Sequence, residues 1–80
     1  MQEFVEFVIK GLVDKPEAVT VTPVERAGTT LYEVRVDTAD TGRIIGRRGM
    51  TINAIRALVQ AGSSKKGIRC QVDLVDEDGR

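Results

Sequence analysis

The spacing of apolar residues switches between two rhythms along this chain, and the order of those switches leaves few ways to fold it. From Gln2 to Val13, the residues Phe4, Val5, Val8, Ile9 and Leu12 recur at helical spacing, with Glu3, Glu6 and Lys10 off the stripe. The early glutamates and the late lysine suit the two ends of a helix dipole. Asp14-Lys15-Pro16 ends that helix. From Ala18 to Glu25, Val19 and Val21 alternate with Thr20 and Thr22, the rhythm of a strand. Pro23 cannot donate to a hydrogen-bond ladder, which assigns this strand to a sheet edge or a bulge. Ala27-Gly28 makes a turn, and Thr30 to Asp37 follows with Tyr32, Val34 and Val36 on one face and Glu33, Arg35 and Asp37 on the other.

The helical rhythm then returns. Thr38 reads as an N-cap, with Asp40 in the first turn of a short helix that ends near Ile45. Gly46-Arg47-Arg48-Gly49 interrupts, and a second helix is expected from Met50 to Ala61, with Ile52, Ile55, Leu58 and Val59 as its stripe and Gly62 as its stop. Residues 62–67 read as a flexible loop. A last strand, Ile68 to Val75, sets Ile68, Cys70, Val72 and Leu74 against Arg69, Gln71 and Asp73. The order α-β-β-α-α-β implies an α+β fold: a three-stranded mixed sheet covered on one face by three helices. The helical pair is a crossover that lets the second and third strands run parallel. Eighty residues make one domain, expected over residues 1–76, with an acidic, frayed tail at 77–80.

Net charge is zero, but its distribution is uneven. Residues 1–40 carry four bases against eight acids. Residues 41–72 carry seven bases and no acid: Arg43, Arg47, Arg48, Arg56, Lys65, Lys66 and Arg69. The final eight residues hold four acids and one base. A basic segment this long, without one carboxylate, points to an anionic partner.

Several function classes lose support from what the chain lacks. It has no histidine, the commonest general base and metal ligand. The lone Cys70 excludes an internal disulfide or a Cys-x-x-Cys site. No Walker Lys-Ser/Thr follows the glycines, and Asp76, Glu77 and Asp78 lack a Ca²⁺-loop pattern. The expectation is therefore a protein that is not an enzyme and uses no cofactor and no metal. No apolar run approaches the ~20 residues of a membrane span, and no signal-peptide pattern opens the chain, so the expected location is cytoplasmic, away from membranes.

Gly-x-x-Gly alone is a weak signal, since a shuffled chain of this composition holds about one such pair. Its context carries the information. The glycines lie between two short helices, and both residues between them are arginines. Residues without a Cβ let the backbone press against a sugar-phosphate chain. The following helix start presents free N–H groups to a phosphate, and Arg47 and Arg48 add charge-assisted donors at the same place. The plain structural reading of the same residues is a tight turn with two solvated arginines.

The stretch Gly42-Arg43-Ile44-Ile45-Gly46-Arg47-Arg48-Gly49-Met50-Thr51-Ile52 resembles the Ile-Gly-x-x-Gly core of the KH domain family. The helix and strand ahead of the core match the type II arrangement. The likeness runs over essentially the whole chain, and looks most like the small stand-alone bacterial KH proteins of the KhpA type. What this resemblance implies is a single-stranded RNA-binding protein, an RNA chaperone or post-transcriptional regulator. Its groove would hold about four nucleotides.

Carried over by position, Gly46, Arg47, Arg48 and Gly49 form the clamp, entered through Gly42 and Arg43. Ile44, Ile45, Ile52 and Ile55 would supply an apolar wall, although core packing is the better reading of Ile55. Ile68, Arg69 and Cys70 would lie across the groove, and Lys65 and Lys66 near flanking phosphates. Phe4, Phe7 and Tyr32 all lie far from the clamp in sequence, which disfavours aromatic base stacking as a large term.

The alternative is a protein-interaction module: a homodimer, or a heterodimer with a larger KH-containing protein, with Ile55, Ala57, Leu58 and Ala61 of the second helix at the interface. Seven bases argue against a charge-depleted interface core as the whole function of residues 41–72. Single-stranded DNA is a third option, because nothing in the sequence marks a contact to a 2′-hydroxyl.

Overall fold

A computed structural model describes residues 1–75 of the chain. Its main elements are α1 (Gln2–Leu12), β1 (Thr20–Arg26), β2 (Thr29–Arg35), α2 (Thr41–Ile45), α3 (Met50–Lys65) and β3 (Cys70–Leu74), with single 3-10 turns at Pro16–Ala18, Thr38–Asp40 and Arg47–Gly49. The acidic tail expected at 77–80 lies outside the described residues.

β1 and β2 form an antiparallel hairpin, closed by Ala27 and Gly28 at φ 51° and 82°. Two left-handed residues in succession give the tight turn whose twist matches that of paired strands. β2 also pairs with β3, in parallel and with Tyr32 opposite Val72. The sheet order is β1-β2-β3, so Pro23 sits on an edge strand, where its missing N–H is tolerated. The period-2 pattern produces one buried face: Tyr32, Val34, Cys70 and Val72 are buried on neighbouring strands. Helical residues Val5, Ile9, Ile44, Ile52, Ile55 and Val59 complete the same core. This is the α+β architecture expected from the order of the elements.

Several boundaries differ from the sequence expectation, each for a local reason. Residues 16–18 form a 3-10 turn started by Pro16, so β1 begins at Thr20 rather than Ala18. Thr38 does not cap α2: it opens the 3-10 turn Thr38–Asp40, which Asp37 caps, its Oδ1 accepting from the Ala39 N–H at 2.9 Å. On α1 the buried stripe is Val5 and Ile9, while Phe4 and Leu12 stay about 40% exposed. On α3 the stripe is Ile52, Ile55 and Val59, and Leu58 is 55% exposed.

The larger correction concerns Gly62. It does not stop α3, which continues to Lys65. A Cβ on Gly62 would come within 3.1 Å of the Met1 Cε, so the missing side chain makes room for packing. The stop is Gly67 at φ 74°. Its N–H donates to the Ser64 carbonyl at 3.0 Å, and the Ile68 N–H donates to Ser63 at 2.9 Å. Those two bonds are the paired closure of a Schellman motif, which satisfies carbonyls at a helix end. Residues 62–65, expected in a flexible loop, are therefore helical.

Candidate nucleic-acid interface

The Gly46–Gly49 turn is a backbone device. α2 ends at Gly46, whose φ of 73° and ψ of −179° redirect the chain while its N–H still donates to Gly42 at 2.9 Å. A Cβ at Gly46 would lie 2.6 Å from the Thr51 Cβ and 2.9 Å from the Thr51 nitrogen. Arg48 (φ 58°) and Gly49 (φ 75°) are also left-handed, and Met50 returns to right-handed geometry. Such alternation turns successive N–H groups toward a common concave side, which suits an oxygen anion. No side chain caps the start of α3; the Met50 N–H donates to the Arg47 carbonyl within the turn, and the N–H groups that follow it lie at the positive end of a sixteen-residue helix with no side-chain partner. Arg47 and Arg48 are both exposed at this point.

The isoleucines around the turn divide by exposure. Ile44 is fully enclosed in the core, and Ile52 and Ile55 are 7% and 4% exposed. They fix the turn from beneath. Ile45, at 41%, presents apolar surface. Gly42 and Arg43 are exposed, but the Arg43 guanidinium is engaged: Nη2 lies 2.8 Å from Asp14 Oδ2, and Nε lies 3.3 Å from Asp40 Oδ1.

A second basic group sits at the other end of α3. Lys65 and Lys66 are exposed at the helix end, followed by exposed Ile68 and Arg69. Helical rise separates this group from the turn by about 22 Å. The side chain of Cys70 is buried at 5%.

Between the two groups runs a groove along α3 and the outer edge of β3. One part, of about 410 Å³, is lined by Leu31, Arg56, Gln60, Gln71, Val72 and Asp73. A second, of about 280 Å³, continues past Gln60 and Gln71 to Ser63, Ser64, Ile68, Arg69 and Cys70. The sequence reading missed the groove residues Arg56, Gln60 and Gln71. Ile52, Arg56 and Gln60 recur at every fourth position, a row beside the buried stripe that turns from apolar to polar. That row was the available signal. Arg56 Nε donates to the Val72 carbonyl at 3.1 Å, and Nη1 to Asn53 Oδ1 at 3.4 Å, so α3 is tied to the edge strand by a basic side chain.

Chemically, this surface can hold an extended anionic strand. Among the described residues no three His, Cys, Asp or Glu side chains come together in a way that could hold a metal ion. No helix among them is long and apolar enough to cross a membrane.

Comparison with known proteins gives a consistent result. A family model described as KhpA/KhpB, KH domain, matches residues 2–74. RNA-binding protein KhpA of Chlamydia pneumoniae is 40% identical over 77 residues, covering 96% of this chain and 99% of the relative. The protein of that name in Borreliella burgdorferi is 42% identical over 74 residues, covering 92% and 90% respectively. Its counterpart in Listeria monocytogenes is 37% identical over 76 residues, covering 95% and 100%. Among solved structures, Aquifex aeolicus Era bound to GDP and tetrafluoroaluminate superposes with a TM-score of 0.66 at 18% identity. The match takes in 91% of this chain and 28% of that one, and is a likeness of fold.

Proposed function

We propose that this chain, which belongs to the KhpA/KhpB family of KH domains, binds single-stranded RNA along the α3–β3 groove as a regulator or chaperone of RNA rather than as an enzyme. The observation that carries this reading is the uncapped start of α3 behind Gly46–Gly49, with exposed Arg47 and Arg48 beside it. In this reading the turn takes a backbone phosphate. Lys65, Lys66 and Arg69 take the flanking charge, and Ile45, Ile68 and the edge of β3 meet the bases. Residues 1–76 act as one domain in the cytoplasm. With no aromatic platform in the groove, affinity rests on the backbone, and a single domain binds at roughly 1–100 µM, or about −5.5 to −8 kcal/mol.

The test is a titration of labelled random-sequence single-stranded RNA, with DNA of the same sequence as competitor. If three phosphates are neutralised, log K falls with log salt at a slope near −2. The Arg47→Asp/Arg48→Asp double variant is expected to lose binding while keeping the wild-type circular dichroism spectrum. Equal binding by the folded variant reduces the turn to a structural element and overturns this reading.

A second reading, self-association or pairing with a larger KH-containing protein, is favoured by one observation. Leu58 is 55% exposed on α3, in an exposed row with Ala54, Ala57 and Ala61. The spacing is that of a helix face, and the row lacks charge, as an interface core does. Sedimentation equilibrium reads it directly: a mass that rises with concentration supports a dimer, and a constant monomer mass removes it. Two linked grooves would raise avidity for one RNA strand.

A further inference from the structure

We infer that Asp40 and Arg43 form a latch that positions the Gly46–Gly49 turn, and that Arg43 serves this latch instead of contacting a phosphate. The inference deepens the RNA reading of the turn and rests on it. Asp40 is 1% exposed, and its carboxylate is fully engaged. Oδ1 accepts from the Asp14 N–H and Oδ2 from the Lys15 N–H, both at 3.1 Å. These donors belong to the connection between α1 and the turn at Pro16–Ala18, so Asp40 supplies partners that no helix or strand provides there. Arg43, three residues on, spans the same joint: Nε lies 3.3 Å from Asp40 and Nη2 lies 2.8 Å from Asp14.

The consequence follows from the size of α2. A helix of five residues has no stability of its own, so what it is fastened to sets its direction. One fastening is Ile44, fully buried. The other is the Asp40–Arg43 joint, which ties α2 to the end of α1. α2 passes directly into the turn through the Gly46 N–H to Gly42 bond, so a shift in α2 displaces the start of α3 and the exposed Arg47 and Arg48 beside it, the groups that meet the phosphate in the RNA reading. The Arg43 charge faces two carboxylates, Asp14 and Asp40. That charge is offset by those carboxylates, unlike the exposed charges of Arg47 and Arg48.

The experiment uses the full chain and four variants: Asp40→Asn, Arg43→Gln, Arg43→Lys and Arg47→Gln. Each is read by RNA anisotropy across a salt series and by amide hydrogen exchange at residues 46–50 without RNA. Arg47→Gln is expected to flatten the salt slope by about 0.7, the loss of one phosphate contact to a single strand. Arg43→Gln is expected to weaken binding about three- to tenfold at unchanged slope and to speed exchange across the turn. Arg43→Lys should behave like Arg43→Gln, because an ammonium lacks the fork that spans two carboxylates. Asp40→Asn should match them in exchange, and combining it with Arg43→Gln should add little, as expected of residues acting as one unit.

A slope flattened by about 0.7 in Arg43→Gln overturns the inference, as does recovery of affinity in Arg43→Lys or unchanged exchange at 46–50. If Asp40→Asn does not fold, the exposed Arg43 variants still decide the matter. If wild type binds no RNA, the RNA reading of the turn fails, and exchange alone judges the latch.

Discussion

A methyl group at Gly46 meets Thr51 at 2.6 Å and 2.9 Å from its Cβ and nitrogen, whereas at Gly49 the nearest atom is the Asn53 Nδ2 at 3.8 Å. Both residues have φ near 75°, but Gly49, at ψ 12°, is in the left-handed helical region, where a side chain costs about 1–2 kcal/mol, whereas Gly46, at ψ −179°, is in a region essentially reserved for glycine. Only Gly46 adds an overlap that includes backbone. Gly46→Ala is therefore expected to destabilise by roughly 3 kcal/mol, and Gly49→Ala by about 1 kcal/mol, measured by urea unfolding. The two glycines were legible as a pair from their spacing. Which one the fold cannot change was not legible, because the obstruction is a residue on the next helix. The same limit applies to Arg43, which sequence assigned to the basic surface. Its carboxylate partner Asp14 lies 29 residues away, and no local pattern reports that pairing. Asp40 read as an ordinary first-turn acid, since burial of a carboxylate is decided by what folds over it.

At the scale of elements, period and order carried most of the information. Each helix and strand expected from the apolar rhythm is present, because a small core has one covered sheet face and every element must turn its stripe toward it. The largest misreading falls at a glycine. In sequence Gly62 reads as the helix stop, and Gly67 as part of the loop that follows. Only Gly67 has positive φ, while Gly62 has Met1 against it. Gly11 shows the opposite situation: it lies in α1 without positive φ, and nothing stands within 4 Å of a Cβ built there. Gly11→Ala is expected to stabilise the protein by about 0.5–1 kcal/mol, through a less flexible unfolded chain and better helix propensity. A higher urea midpoint at unchanged m-value is the sign to look for. The width of the stripe was overestimated at Leu58 for a geometric reason: a three-stranded sheet covers only the central ridge of α3, leaving the flank outside.

For the molecule as a whole, Tyr32 sets an alkaline limit. It lies on the central strand, and burial pushes its hydroxyl above the ordinary value of 10, with neighbouring Cys70 and the charge of Glu25 adding to the effect. The folded state thus holds this proton more tightly than the unfolded chain. That contribution to stability is complete below about pH 10 and is lost as pH rises through the higher folded value. Tyr32→Phe is expected to flatten the fall in melting temperature above pH 10, followed by thermal melts between pH 8 and 12. Charge segregation belongs to this scale too, and it was visible in the sequence without any knowledge of the fold. The two rims of the sheet have a consequence for behaviour at high concentration. β1 carries Pro23 on one rim, and on the other a carbonyl of β3 is held by Arg56. Neither rim offers an unbroken ladder of free backbone groups to a neighbouring molecule, the template on which strands stack into aggregates. Each rim of the three-stranded sheet is thus interrupted at one point, which works against edge-to-edge growth.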